Sequence, residues 1–222
     1  ITLDHPEIFL LQVRAMIRAN QHSRNLEIML PMIASIGEVE EAVRLINQAF
    51  YELKAEISED LVKPKIGIMI EVPSAIFLIS ELAERVDFFS VGSNDLTQYL
   101  LAVDRNNARV ANLFDSYHPA VLRALHFIAQ QAQQCNTTLS LCGELASEPA
   151  GALLLLAMGY DKLSMNPHNL ARIKWVVRHV EYEQAQKVLA HALTLTSPAD
   201  VRSYLNEQLE AFDLGGFVRA GM

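Results

Sequence analysis

Short apolar runs that stop at turn residues alternate along this chain with longer segments of helical period, and that alternation limits the fold more than any other feature. Ile66-Gly67-Ile68-Met69-Ile70 and Phe88-Phe89-Ser90-Val91-Gly92 lack the polar-apolar alternation of a half-exposed strand, so both read as strands buried on two faces. Leu26 to Leu30, closed by Pro31, reads as another, as do Thr138 to Leu141 ahead of Cys142-Gly143-Glu144, and Lys162 to Met165. Ile1-Thr2-Leu3 reads as the tail of one more strand, so the chain is expected to be a fragment.

Helices fill the intervals. Ser35-Ile36-Gly37-Glu38 is a capping box, followed by Val39, Val43, Ile46, Phe50, Leu53 and Ile57 at helical spacing. A helix from Pro6 to Ala19 is expected to bury Ile8, Leu11, Ala15 and Arg18 along one side, widened by Phe9, Val13 and Met16. Others are expected over Ser74 to Glu84, Val121 to Ala132, Leu153 to Met158 and Ile173 to Val180. The last runs from Ser197-Pro198 to a stop at Gly215-Gly216. Ser93-Asn94-Asp95 reads as a loop. The class is α/β with a parallel sheet of right-handed crossovers, in one domain over residues 1–222. Two architectures fit this pattern: an open doubly wound sheet, or the later part of an eight-stranded barrel.

Composition narrows the partners. With 18 Lys+Arg against 26 Asp+Glu the net charge is −8, which repels a phosphodiester backbone, so no nucleic-acid partner is expected. The longest apolar stretch, Gly151 to Tyr160, is far shorter than the roughly 20 residues that span a bilayer. With only two cysteines, Cys135 and Cys142, and no signal-like N-terminus, a cytoplasmic chain without membrane contact is expected. The seven histidines form no ligand pattern, and no glycine-rich phosphate loop is present, so ATP and NAD are not supported.

Three acidic residues, Glu71, Asp95 and Glu144, fall just past strand ends, where ligands bind in both candidate architectures. Oxygen donors without a nearby imidazole or thiolate partner suit a hard cation such as Mg²⁺. Asn94 adds an amide for an anionic substrate. Arg105 fits either a phosphate-gripping fork or an ion pair with Asp104 or another surface acid. Cys142 fits either an acid-base thiol or a small buried side chain.

Four segments go beyond this generic reading: Ile66-Gly67-Ile68-Met69-Ile70-Glu71-Val72-Pro73-Ser74-Ala75, Asp87-Phe88-Phe89-Ser90-Val91-Gly92-Ser93-Asn94-Asp95-Leu96-Thr97-Gln98-Tyr99, Ala102-Val103-Asp104-Arg105 and Leu141-Cys142-Gly143-Glu144-Leu145-Ala146. Together they resemble the C-terminal, phosphoenolpyruvate-binding domain of Enzyme I of the phosphotransferase system, over nearly the whole chain. Ser164-Met165-Asn166-Pro167 and the closing Gly-Phe-Val-Arg-Ala-Gly look closer to the nitrogen-related paralogue. The resemblance implies a (β/α)8 barrel, here without its first strands. It implies Glu71 and Asp95 as magnesium ligands, and Asn94, Asp95 and Arg105 as substrate-binding residues. Cys142 would be the proton donor that converts enolpyruvate to pyruvate. It also implies a homodimer, with Phe114, Tyr117 and Trp175 as interface candidates. An HPr-like phosphocarrier would be served through an N-terminal phosphohistidine domain outside this chain.

A relative of pyruvate phosphate dikinase or phosphoenolpyruvate synthase shares the strand-end pattern, although Cys-Gly-Glu-Leu-Ala and Ala-Val-Asp-Arg favour Enzyme I. From a different class, a non-catalytic module that senses phosphoenolpyruvate and dimerises also fits.

Overall fold

A computed structural model describes residues 5–57 and 61–216. The expected strand at Ile1-Thr2-Leu3 and most of the closing Gly-Phe-Val-Arg-Ala-Gly lie outside the described residues. In chain order the elements are α1 (Pro6–Ser23), β1 (Glu27–Leu30), α2 (Ile36–Glu56), β2 (Lys65–Ile70), α3 (Pro73–Ile76), α4 (Ile79–Ala83), β3 (Phe88–Gly92) and α5 (Ser93–Leu101). Then follow α6 (Pro119–Gln134), β4 (Thr138–Cys142), α7 (Pro149–Met158), β5 (Lys162–Ser164), α8 (Pro167–His179), α9 (Tyr182–Ala192) and α10 (Pro198–Ala211). Short 3₁₀ turns occupy Ala111–Leu113 and Glu144–Ser147.

The five strands pair in parallel in the order β1-β2-β3-β4-β5. A doubly wound sheet needs a point where the strand order reverses, and this sheet has none. With right-handed crossovers, an unreversed order carries every helix to the same face, which is the winding of a TIM barrel. Five strands are an incomplete turn of one.

Register separates the two faces. Ile28, Ile66 and Leu30, Ile68 pair across β1 and β2; Ile68 pairs with Phe89, Ile70 with Val91, and Phe89 and Val91 with Leu139 and Leu141. All of these are buried and form the layer under the helices. The other face carries Met29, Met69, Ser90, Ser140, Cys142, Lys162 and Ser164. Burial on both faces therefore holds for most of β2 and β3, whereas β1, β4 and β5 are covered on one face only.

Capping and packing explain the helices. Glu38 accepts the N–H groups of Ala34 and Ser35 at 2.8 and 2.9 Å, so α2 begins where the capping box places it. In α7 nearly every side chain is buried, as suits a helix enclosed by α6, α8, α9, α10 and the Glu144–Ser147 turn.

Four expectations need correction. α1 buries Phe9, Val13, Ile17 and Asn20, so the expected Phe9 and Val13 do face the core, while Ile8 and Leu11, expected along its middle, are 61% and 72% exposed. The single helix over Ser74 to Glu84 is broken, because Phe77 and Leu78 donate to carbonyls three residues back and tighten the chain between α3 and α4. Ser93-Asn94-Asp95 is the first turn of α5 rather than a loop. α10 ends at Ala211 without help from Gly215-Gly216: Asp213 takes a left-handed φ of 60°, and the Leu214 N–H turns back to Leu209 O as buried Leu214 packs on the core. α9 was not foreseen, although Ala185, Val188, Leu189 and Ala192 give its spacing. No helix among the described residues is long and apolar enough to cross a membrane.

Ile68 is fully buried in the central layer between β1 and β3. Ile68→Ala is expected to cost about 2–5 kcal/mol, read as a lower urea midpoint with an unchanged slope.

Candidate active site at the carboxyl ends of the strands

The site follows from register. Ile70 of β2 pairs with Val91, Val91 with Leu141, Gly92 with Cys142 and Cys142 with Ser164. Glu71, one residue past β2, therefore stands on the same terminal row and the same face as Gly92 and Cys142. Two glycines make that row possible. A Cβ at Gly92 would lie 2.6 Å from Glu71 Oε2 and 2.9 Å from Met69 Sδ, so only glycine leaves the carboxylate its place. Gly143, at φ 127°, sits against Ser93 and Asn94, where a side chain would meet Ser93 Oγ and be strained in its backbone as well.

Glu71 is 3% exposed, and its Oε1 accepts the Met32 N–H at 2.7 Å. Met32 itself holds a left-handed φ of 57°. Burial pushes the Glu71 carboxyl up, the Met32 N–H pulls it partly back, and the Asp95 carboxylate raises it again. Asp95 lies in the first turn of α5. Its Oδ1 is 3.5 Å from the Arg105 guanidinium. Asp104 is otherwise engaged, accepting the Asn106 N–H at 2.9 Å, and the Arg105 N–H donates to Gln98 Oε1 at 3.1 Å. Arg105 thus pairs with a rim acid rather than with Asp104.

Asn94 Oδ1 accepts the Glu144 N–H at 3.3 Å and Ser93 Oγ donates to Cys142 O at 3.1 Å. These two bonds clamp the start of α5 to the end of β4 on either side of Gly143. The Glu144 side chain is exposed. The Cys142 thiol lies 3.6 Å from Val91 O and receives the Ser90 hydroxyl at 3.8 Å. Burial raises the thiol's pKa, the Ser90 hydrogen bond lowers it, and Glu71 and Asp95 raise it further, so the thiol carries its proton at neutral pH. Ser90 was not singled out in the sequence; its place on the inner face of β3 could have been read only from the register with β4.

Among the described residues no group of three or more His, Cys, Asp or Glu side chains is placed to hold a metal ion. Glu71 and Asp95 make a two-carboxylate donor set, and the buried charge of Glu71 has a single backbone N–H as its hydrogen-bonding partner. Such a pair fits Mg²⁺, which is usually held by one or two carboxylates with the remaining oxygens from water and substrate.

The profile described as PEP-utilising enzyme, PEP-binding domain matches residues 1–182. The chain belongs to the phosphoenolpyruvate-utilising enzymes. Within curated relatives it is 51% identical over 222 residues to the phosphoenolpyruvate-dependent phosphotransferase system protein of Salmonella typhimurium, covering 100% of this chain and 30% of that protein. It is 36% identical over 207 residues to the phosphoenolpyruvate-protein phosphotransferase of Borreliella burgdorferi, covering 92% of this chain and 35% of that one. The chain thus spans about a third of the length of these relatives. Among solved structures, a citrate lyase from Burkholderia xenovorans aligns with TM-score 0.55 at 20% identity, over 91% of this chain and 68% of that one. A malate synthase from Haloferax volcanii aligns with TM-score 0.53 at 15% identity, over 94% and 59%. At those identities the likeness concerns the fold, and it agrees with barrel-type winding.

A carboxylate with a raised folded-state pKa favours folding below its unfolded pKa, and that contribution is lost as pH rises through the folded value. Glu71→Gln in the full-length protein is therefore expected to raise the melting temperature of this domain at pH 8 without added metal. The gain should shrink toward pH 4, where the wild-type carboxyl is already neutral. Calorimetry at the two pH values checks it.

Proposed function

We propose that this chain is the phosphoenolpyruvate-binding domain of a phosphotransferase. The enzyme moves the phosphoryl group of phosphoenolpyruvate to a histidine on another domain and from there to an HPr-like phosphocarrier, and releases pyruvate in the cytoplasm. The observation that carries this reading is the convergence of Glu71, Asp95, Asn94, Arg105 and a protonated Cys142 on one rim of a phosphoenolpyruvate-binding domain. The names of the relatives favour it over a dikinase or synthase.

In the reaction the P–O bond of phosphoenolpyruvate breaks, a P–N bond to the histidine forms, and the enolate of pyruvate is left to take a proton at C3. Glu71 and Asp95 would hold Mg²⁺, whose charge, when bound, offsets that developing on the phosphoryl and enolate oxygens. Arg105 supplies a planar fork for phosphate, oriented by Asp95. Asn94 keeps its carbonyl oxygen on the Glu144 N–H, which aims its NH₂ toward an anionic substrate. Cys142 gives its proton to C3, and its raised pKa keeps it loaded for that step.

A homodimer belongs to the same reading. Trp175, 52% exposed and stacked on His179 with ring centroids 3.9 Å apart, is the interface candidate that remains most available. Tyr117 is withdrawn from that role, because it is 2% exposed and bonded to Glu148.

The test is Mg²⁺-dependent exchange of pyruvate methyl protons for deuterium by the full-length protein, followed by NMR. Exchange supports the catalyst, and a protein that binds phosphoenolpyruvate without any exchange is a sensor. Cys142→Ala is expected to leave phosphoenolpyruvate binding within about twofold while slowing exchange by about 10²-fold or more. Arg105→Lys keeps the charge but loses the fork, so phosphoenolpyruvate affinity measured by calorimetry should fall by about tenfold.

A further inference from the structure

Away from the rim, a polar network that runs from the buried Tyr117 out to a surface ion pair of Arg202 with Asp115 joins three segments that are distant in sequence. Tyr117 is 2% exposed, and its phenol donates to Glu148 Oε2 at 2.8 Å. Its own N–H donates to Asp115 Oδ1 at 2.8 Å. Arg202 of α10 donates to Asp115 Oδ1 at 2.7 Å and Oδ2 at 3.4 Å, and its guanidinium lies 4.4 Å from the centre of the Tyr117 ring. Burial and the neighbouring Glu148 hold the Tyr117 phenol well above its usual pKa, so it remains a donor throughout the physiological range.

The ends of this network matter for the rim. Asp115 and Tyr117 close the segment between α5 and α6, and the same segment carries Arg105. Glu148 is the N-cap of α7 and directly follows the Glu144–Ser147 turn, which hangs from Cys142 and Gly143. That turn is also held by Asn94 Oδ1 on the Glu144 N–H at 3.3 Å, by the Glu148 N–H on Leu145 O at 3.3 Å and by Arg172 on Ser147 O at 2.9 Å. The Tyr117–Glu148 bond thus ties the segment bearing the guanidinium to the far end of the turn that follows the thiol-bearing end of β4. Burying a tyrosine hydroxyl against a carboxylate is worthwhile only when both polar groups are satisfied, which fixes their geometry closely.

The geometry points to Tyr117 as a positioning residue: with Glu148 and Arg202 it sets the placement of the Arg105 segment relative to the Glu144–Ser147 turn that follows Cys142. This rests on the reading of the rim given above. A displacement of the order of 1 Å between a fork that grips phosphate and a thiol that must reach C3 is enough to slow the proton transfer while leaving each group able to act alone.

The test uses the full-length protein and two conservative variants. Tyr117→Phe removes one hydroxyl and keeps the ring, whereas Glu148→Gln keeps an oxygen acceptor for the phenol. For Tyr117→Phe, faster amide hydrogen exchange is expected in both 104–107 and 143–148. The kcat of pyruvate methyl exchange should fall about tenfold, with less than a twofold change in KM. Glu148→Gln should stay within about threefold of wild type in kcat. Faster amide exchange with an unchanged kcat would overturn the proposal and leave the network purely structural, as would amide exchange unchanged in both segments. A wild-type protein that shows no methyl exchange overturns the site reading itself, and the role of Tyr117 falls with it; the wild-type control separates that outcome from failure of the variant alone.

Discussion

The whole rim depends on the in-register parallel pairing of β2, β3 and β4. Because Ile70 faces Val91 and Val91 faces Leu141, the residues one step further, Glu71, Gly92 and Cys142, fall on one row and point away from the helices. A slip of one residue in any of these strands would exchange their faces, sending Glu71 or Cys142 into the apolar layer and bringing an isoleucine, valine or leucine to the rim. Burial of Ile68, Ile70, Phe89, Val91 and Leu141 under the helices excludes that slip, so the core that stabilises the fold also sets the position of the chemistry.

On that frame the site is electrostatically unbalanced by construction. The Asp95 carboxylate lies close enough to the buried Glu71 to oppose its charge, and the guanidinium at the rim is drawn to Asp95. Arg105 offsets Asp95, but among the described residues no guanidinium or ammonium pairs with the buried Glu71, whose hydrogen-bonding partner is the Met32 N–H. Burial first, and the same two carboxylates in addition, raise the pKa of the Cys142 thiol.

Much of this was legible in the linear chain because it is local. The capping box at Ser35, the continuous apolar runs of β2 and β3 and the acids just past the strand ends all depend on neighbours within a few residues. The choice of the buried stripe on α1 was not legible, since Ile8 and Leu11 are as apolar as Val13 and Ile17; which pair faces the core depends on how α1 packs against α2. The break between α3 and α4 and the early stop of α10 likewise depend on distant packing. Tyr117 looked like a surface aromatic because its partners, Glu148 and Arg202, are 31 and 85 positions away, the latter being 202 − 117.

The sequence by itself determined an α/β chain with a parallel sheet, the acids just past the strand ends and the family the chain resembles, because strand and helix periods and short motifs are written within single segments. The periodicity left a doubly wound and a barrel-type sheet both open and the family resemblance implied the barrel, with which the unreversed strand order agrees; only the tertiary structure paired Arg105 with Asp95 rather than Asp104 and brought Ser90 beneath Cys142. These depend on strand order, register and the direction of side chains across a sheet, which are properties of contacts between segments and have no local sequence pattern to announce them.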